Sequence, residues 1–303
     1  MAIPLADTAK IGPVNNFFHS IFQQVQVKFR GTPVENSNSS YAYKAYLQNL
    51  LYASEEQKTS ILYNEMFEAD TPGFFEKTEI DIPKHELAVE QAKATWVLPK
   101  NTINEGFISR RKRFFSTNSK EVELVGKLHL DLASTPKYYL NLIEVEIALT
   151  RANEIFYLIG DSNVTDKYVV NIKSARLHSR VVAINPDIGL AHTTGLLKAN
   201  AIYPYEHVIV NSTPIVAGSN KLIISNIHNG IYPNAIYIGF VDSRGFAGTL
   251  NYNPFNFQHF YLKEILVTVG ATNMPYQKAP MQHRLHLIFI IIYFIMSLNK
   301  LNK

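Results

Sequence analysis

Hydrophobic and polar residues alternate strictly over Gln24 to Arg30 (QVQVKFR), with Val25, Val27 and Phe29 on one face and Gln26, Lys28 and Arg30 on the other. A period of two marks a half-buried β-strand, closed here by the turn formers Gly31-Thr32-Pro33. The period then lengthens. Asn38-Ser39-Ser40 offers an N-cap ahead of YAYKAYLQNLLYA, where Tyr43, Leu47, Leu50 and Leu51 recur at helical spacing. Ser54 with Gln57 three residues on is a capping box that opens a short helix toward Met66 and Phe67. From about Thr71 to Asn118 no period holds. Prolines 72, 83 and 99, glycines 73 and 106 and the cluster Arg110-Arg111-Lys112-Arg113 predict a loop excursion with an exposed basic face.

Alternation returns in Glu121 to Leu132 (EVELVGKLHLDL), which places Val122, Leu124, Gly126, Leu128, Leu130 and Leu132 opposite Glu121, Glu123, Lys127, His129 and Asp131. After Thr135-Pro136, Ile143, Val145, Ile147 and Leu149 alternate with Glu144, Glu146 and Thr150. Two such strands joined by a turn predict a sheet with one face on a core and one in water. The loop Gly160 to Asp166 (GDSNVTD) separates them from a second series. It comprises Tyr168 to Arg180, with a bulge near Ser174, then Val208 to Ile215, Lys221 to Ser225, Ala235 to Val241 and Phe260 to Val269. Short strands with turn signals between them are the pattern of sandwiches and jelly rolls rather than of a parallel α/β sheet. No short fixed repeat is present, which disfavours a propeller or solenoid. The predicted class is all-β, with two β-sandwich units meeting near residues 160 to 167 and short helices decorating them.

Composition sharpens this reading. Of 303 residues, 47% are hydrophobic and 18% charged, which excludes disorder as the main state. The 17 Tyr and 18 Phe exceed what one small core uses and point to a large β structure, an oligomer or both. The absence of cysteine excludes a disulfide framework, a thiolate zinc site and a cysteine nucleophile, and fits a reducing compartment. A net charge of +4, dispersed along the chain, is too weak to imply nucleic acid. Met1-Ala-Ile-Pro-Leu-Ala-Asp has neither a basic flank nor a long apolar core, so the expectation is an intracellular protein that is not secreted. At the other end Leu287 to Met296 (LIFIIIYFIM) is almost unbroken apolar sequence between Arg284 and Lys300. It falls short of the roughly 20 residues a spanning helix needs, so a buried or interfacial segment is expected ahead of a membrane anchor.

Catalysis needs titratable groups that converge, and none stand out. Gly160-Asp161-Ser162 lies among turn formers and lacks the G-x-S-x-G elbow. His283 and His286 would share a helix face, but two histidines with no carboxylate nearby make a poor metal site. His19, His129, His178, His192, His207, His228 and His259 fall one to a segment, as ordinary surface or core histidines do. No P-loop or dinucleotide glycine pattern is present. The sequons Asn38-Ser39-Ser40, Asn163-Val164-Thr165 and Asn211-Ser212-Thr213 are expected to stay unmodified without a secretory route. Trp96 reads as a packing anchor. No catalytic, cofactor-binding or metal-ligating residue is assigned, and a large aromatic β protein without a catalytic set has the character of a scaffold subunit.

Four blocks carry a resemblance. GPVNNFFHSIF (Gly12 to Phe22), leading into QVQVKFRGTPV and SSYAYKAYLQNLL, resembles the opening of the double jelly-roll major capsid proteins, in particular those of the Polinton/Maverick and adintovirus group. Val122 to Ala152 is similar to the strand, proline turn and strand late in that family's first roll. Val170 to His192 is similar to the opening of the second roll, and Asn253 to Pro275 to an internal strand pair of it. The resemblance implies a homotrimer of pseudo-sixfold outline, tiling an icosahedral shell around double-stranded DNA beside other capsid proteins such as a penton subunit. It implies no catalysis, no cofactor and no specific nucleic-acid site. On this reading residues 1–160 form the first jelly roll, with its opening strand missing or shortened, and 161–278 a truncated second roll. Residues 279–303 form an apolar tail outside the family.

A truncated, genome-resident copy is therefore the expectation, and a jelly roll that lacks strands leaves sheet edges and apolar faces unpaired. Two other classes compete. An all-β module binding carbohydrate or protein would need an exposed aromatic platform, and a tail-anchored membrane protein would take its character from Leu287 to Leu298.

Overall fold

The computed structural model describes residues 10–78, 103–115, 121–141, 143–161, 168–219, 221–225, 233–260, 262, 265, 267–269, 272–274 and 288–297. The fold is β-rich. Its strands are β1 Ile11–Pro13, β2 Phe22–Phe29, β3 Thr32–Asn36, β4 Val145–Arg151, β5 Leu158–Gly160, β6 Glu206–Ile215, β7 Ala235–Asp242, β8 Val267–Val269, β9 Thr272–Met274 and β10 Ile288–Ser297. Short helices sit between them: α1 Phe17–Ser20, α2 Tyr41–Tyr52, α3 Glu55–Thr59, α4 Glu105–Phe115, α5 Glu154–Tyr157, α6 Pro186–Leu196 and α7 Ser243–Ala247. Every ladder among the described residues is antiparallel.

The first sheet has the order β3-β2-β4. The alternation in β2 sends Val25 and Val27 inward, where they pack with Tyr41, Leu130 and Leu132. The hairpin turns one residue earlier than its glycine and proline suggest. Arg30 (φ 46°) and Gly31 (φ 77°) both take the left-handed conformation, and Phe29 pairs directly with Thr32. Two positive φ values make a primed two-residue turn, which matches the strand twist and frees Thr32 and Pro33 to begin β3. Pro33 is tolerated there because β3 is an edge strand.

The second sheet has the order β6-β10-β7. The apolar run at the C-terminal end is thus a central strand, paired across its length with Glu206–Ile215 on one side and with Ala235–Asp242 on the other. It is neither a helix nor a loose tail over residues 288–297. Among the described residues no helix is long and apolar enough to cross a membrane.

Residues 121–130 keep the expected alternation of burial, with Val122, Leu124 and Leu128 inward and Glu121, Glu123 and Lys127 outward. No strand partner is paired to them among the described residues, and the backbone shows why. Val125 N–H donates to Asn64 O, Lys127 N–H to the Glu65 carboxylate, His129 N–H to the Tyr41 hydroxyl and Asp131 N–H to Glu35. Every second amide is satisfied by a loop carbonyl or a buried side chain instead of a neighbouring strand.

Three expectations are corrected. The segment 105–115 is a helix, not a loop, and its basic cluster is not an exposed face, because Arg110 and Arg111 are buried. In α2 the buried residues are Tyr41 through Tyr46 and Asn49, while Leu50 and Leu51 face outward. Residues 168–183 belong to no strand or ladder among the described residues, and 186–196 add a helix that apolar spacing alone does not reveal.

The main core draws Ile11, Val14, Phe17, Tyr46, Met66, Phe107 and Tyr157 together with Val208, Val241 and Phe255, so residues before and after position 160 share it. Each such side chain contributes roughly 1.5–3 kcal/mol through burial. Aromatic contacts bind the halves further: Tyr46 stacks on Phe255 with centroids 4.3 Å apart, and Tyr43 stacks on Phe246 at 5.5 Å.

Candidate functional site

Two features stand apart from ordinary packing: a set of buried polar centres and an exposed apolar surface. The block Val14 to Ile21 supplies the first. Asn16 adopts a left-handed conformation (φ 56°) ahead of α1, which asparagine tolerates better than most residues. This aims His19 into the interior. His19 Nδ1 lies 3.0 Å from the Tyr41 hydroxyl and Nε2 lies 3.0 Å from Glu65 Oε2. Asn49 Nδ2 donates to the same Glu65 oxygen at 3.1 Å and to Asn16 Oδ1 at 3.1 Å. His129 closes the group, its Nδ1 2.6 Å from Gln48 Oε1 and its ring centroid 4.7 Å from that of His19. Burial, and then the charges of His19, Lys44 and Lys127, holds the His129 imidazolium well below the usual histidine range. Gly126 makes the space: a Cβ there would lie 2.7 Å from Glu65 Cγ.

A second centre joins the two sheets. Lys44 Nζ is 2.7 Å from Asp131 Oδ1 and 3.1 Å from Glu35 Oε1. Asp131 Oδ2 accepts from Val208 N–H at 2.9 Å and lies 2.8 Å from His207 Nδ1. Burial pushes the Asp131 carboxyl up, but the His207 hydrogen bond, the Lys44 ammonium and the Val208 amide outweigh it, so the group titrates below the ordinary carboxylate range.

The third centre explains the basic cluster. Arg110 is fully buried, 2.5 Å from Asp70 Oδ1, and it donates to the carbonyls of Pro13 and Glu68. Asp70 also accepts from Asn104 at 2.9 Å and from Asn253 at 3.1 Å, so a residue near the C-terminal end of the core completes a site begun near its start. A buried, fully bonded arginine of this kind is structural rather than a nucleic-acid contact.

The exposed surface lies on residues 169–202. Val169, Leu177, Val181, Leu190, Leu197 and Ile202 all project into solvent, Val181 and Leu197 each 85% exposed, and none of the residues of α6 is buried. The helix begins on a sound cap, with Asn185 Oδ1 accepting from Asp187 N–H and Pro186 in the first turn. Among the described residues no element buries its apolar side chains.

Of the positions singled out from sequence, Gly160 ends β5 and Asp161 lies 3.9 Å from Lys10, while Ser162, Asn163, Trp96, His228, His283 and His286 lie outside the described residues. His178, His192 and His259 are exposed. Asn38 is exposed in a turn and Asn211 lies within β6. His19 and His129, which fall in separate segments of the sequence, meet in the fold. The signal was the placement of His19 in a block whose other residues are almost all buried.

No family model matches the chain. It is 22% identical over 272 residues to a Caenorhabditis elegans protein described as "Uncharacterized protein F54H12.2", an alignment that takes in 89% of this chain and 57% of that relative. The chain thus spans little more than half the length of the relative it matches.

Proposed function

We propose that the chain is a structural capsid subunit of the double jelly-roll kind, acting without catalysis. It would assemble as a homotrimer of pseudo-sixfold outline within an icosahedral shell around double-stranded DNA, alongside a penton-type subunit. The observation that carries this reading is the apolar surface of residues 169–202. A run over residues 169–202 that leaves Val169, Leu177, Val181, Leu190, Leu197 and Ile202 each more than half exposed is a concentration of apolar side chains in water of the kind that marks an interaction site. Copies of the same chain are the simplest cover, because closed homo-oligomers dominate assembly. Three further features are consistent with it. The ladders are antiparallel, as in jelly rolls. Within two of the blocks that carry the resemblance, Gly12 to Phe22 and Asn253 to Pro275, the residues Val14, Phe17, Ile21 and Phe255 are buried in the core that the halves share. The Arg110–Asp70 and Lys44–Asp131–Glu35 centres are engaged in ion pairs within the fold.

Light scattering coupled to size exclusion, followed by electron microscopy of the same fractions, tests the proposal. Particles of three times the 34.4 kDa chain mass, or closed shells, are expected. A monodisperse single chain that binds a sugar or a host protein would replace it with the binding-module reading.

A further inference from the structure

We propose that His19, Glu65 and His129 form a binding site for a divalent transition-metal ion of the zinc class. Each residue offers one ligand atom, and these atoms all lie within 4.8 Å of one another. The three come from separate segments, α1, the 3-10 turn Leu62–Glu65 and the extended stretch 121–130, so the fold itself assembles the group. Two imidazoles and a carboxylate are a donor set that suits zinc and its neighbours, and three protein ligands leave a position open.

The spacing fits. Ligands about 2.0–2.1 Å from an ion and near a right angle to each other lie about 2.9 Å apart, close to the 3.0 Å between His19 Nε2 and Glu65 Oε2. Tetrahedral ligands at about 2.0–2.1 Å from one ion lie about 3.4 Å apart, so atoms that lie within 4.8 Å of one another close by up to about 1.4 Å when an ion binds. The surroundings are also those of a metal site. A ligating histidine characteristically fixes its second nitrogen on an oxygen. Here His19 Nδ1 lies on the Tyr41 hydroxyl and His129 Nδ1 on the Gln48 side-chain carbonyl. The Glu65 carboxylate is oriented by the Lys127 amide at 3.1 Å and by Asn49. To ligate through Nε2, His19 holds its single N–H on Nδ1, facing the Tyr41 hydroxyl, so binding selects that tautomer and releases no net proton.

The inference is independent of the capsid reading and is tested on the full chain. The protein is stripped with a chelator, reloaded with Zn2+ and dialysed, and metal is then counted by elemental analysis. The same is done for H129A, E65Q and the double variant H283A/H286A. About one equivalent is expected in the wild type and in H283A/H286A, with affinity at least about tenfold weaker in H129A and E65Q. X-ray absorption on zinc-loaded H283A/H286A, which does not depend on the core variants folding, should report two imidazole ligands and one carboxylate. Less than about a tenth of an equivalent in the wild type overturns the proposal. So does full retention in folded H129A and E65Q, loss of the metal in H283A/H286A, or a coordination shell without two histidines.

Discussion

Residues 121–132 and residues 168–183 carry similar alternating sequences and meet opposite fates. In the first, every second amide from Val125 to Asp131 is bonded to a loop carbonyl or buried side chain, and the apolar face closes over β2 and the main core. In the second, the chain joins no ladder among the described residues, only Tyr168 and Val170 reach the core, Val169, Leu177 and Val181 stand in water, and none of the residues of α6 is buried. Alternation alone therefore encodes an amphipathic extended segment without saying whether its partner lies in the same chain. The interior carries stability. The surface carries, on our proposal, association.

That contrast gives an order of effects. The largest belongs to Arg110→Ala, which leaves the Asp70 carboxylate buried without its cation. A loss of about 3–5 kcal/mol is expected, read as a fall in the urea midpoint, whereas an arginine on an exposed loop would change it little. Phe255→Ala should cost about 3–5 kcal/mol, since it opens a cavity against Tyr43 and Tyr46 where the halves share one core. A single cooperative transition that moves as a whole in thermal melts is the expected signature, and two transitions of which only one moves would show that the halves unfold separately. Ser54→Ala removes the acceptor for Gln57 N–H in the capping box and should cost about 1 kcal/mol by the same denaturation assay. The paired substitution Val181→Glu with Leu197→Glu should leave the stability of the single chain within about 0.5 kcal/mol, because neither side chain packs on the core. Its whole effect should fall on association.

The sequence was most legible where local rules decide. The strand at Val25 and Val27, the Ser54–Gln57 capping box and the inward face of 121–130 all follow from period and turn chemistry alone. It was least legible where a distant residue decides. Four basic residues in a row normally mark a solvated face, and Asp70, forty positions away, together with the Pro13 and Glu68 carbonyls, holds Arg110 inward. Leu50 and Leu51 have helical spacing with Tyr43 and Leu47, but the aromatic half of α2 takes the core and leaves them at the rim. The Asn185-Pro186-Asp187 helix start was present as a signal, yet the apolar residues after it gather on no buried face, so periodicity passed over it. The meeting of His19, Glu65 and His129 depends on three segments folding against one another, and no spacing in the chain announces it.

The central claim is that residues 169–202 are covered by other copies of the chain. Sedimentation velocity on the wild type and on the Val181→Glu, Leu197→Glu double variant, at equal concentration, tests it most directly. The account predicts a wild-type particle of three times the 34.4 kDa chain mass and a folded variant at one chain mass. A wild-type chain that sediments as a monomer, or a variant that assembles as the wild type does, would contradict it.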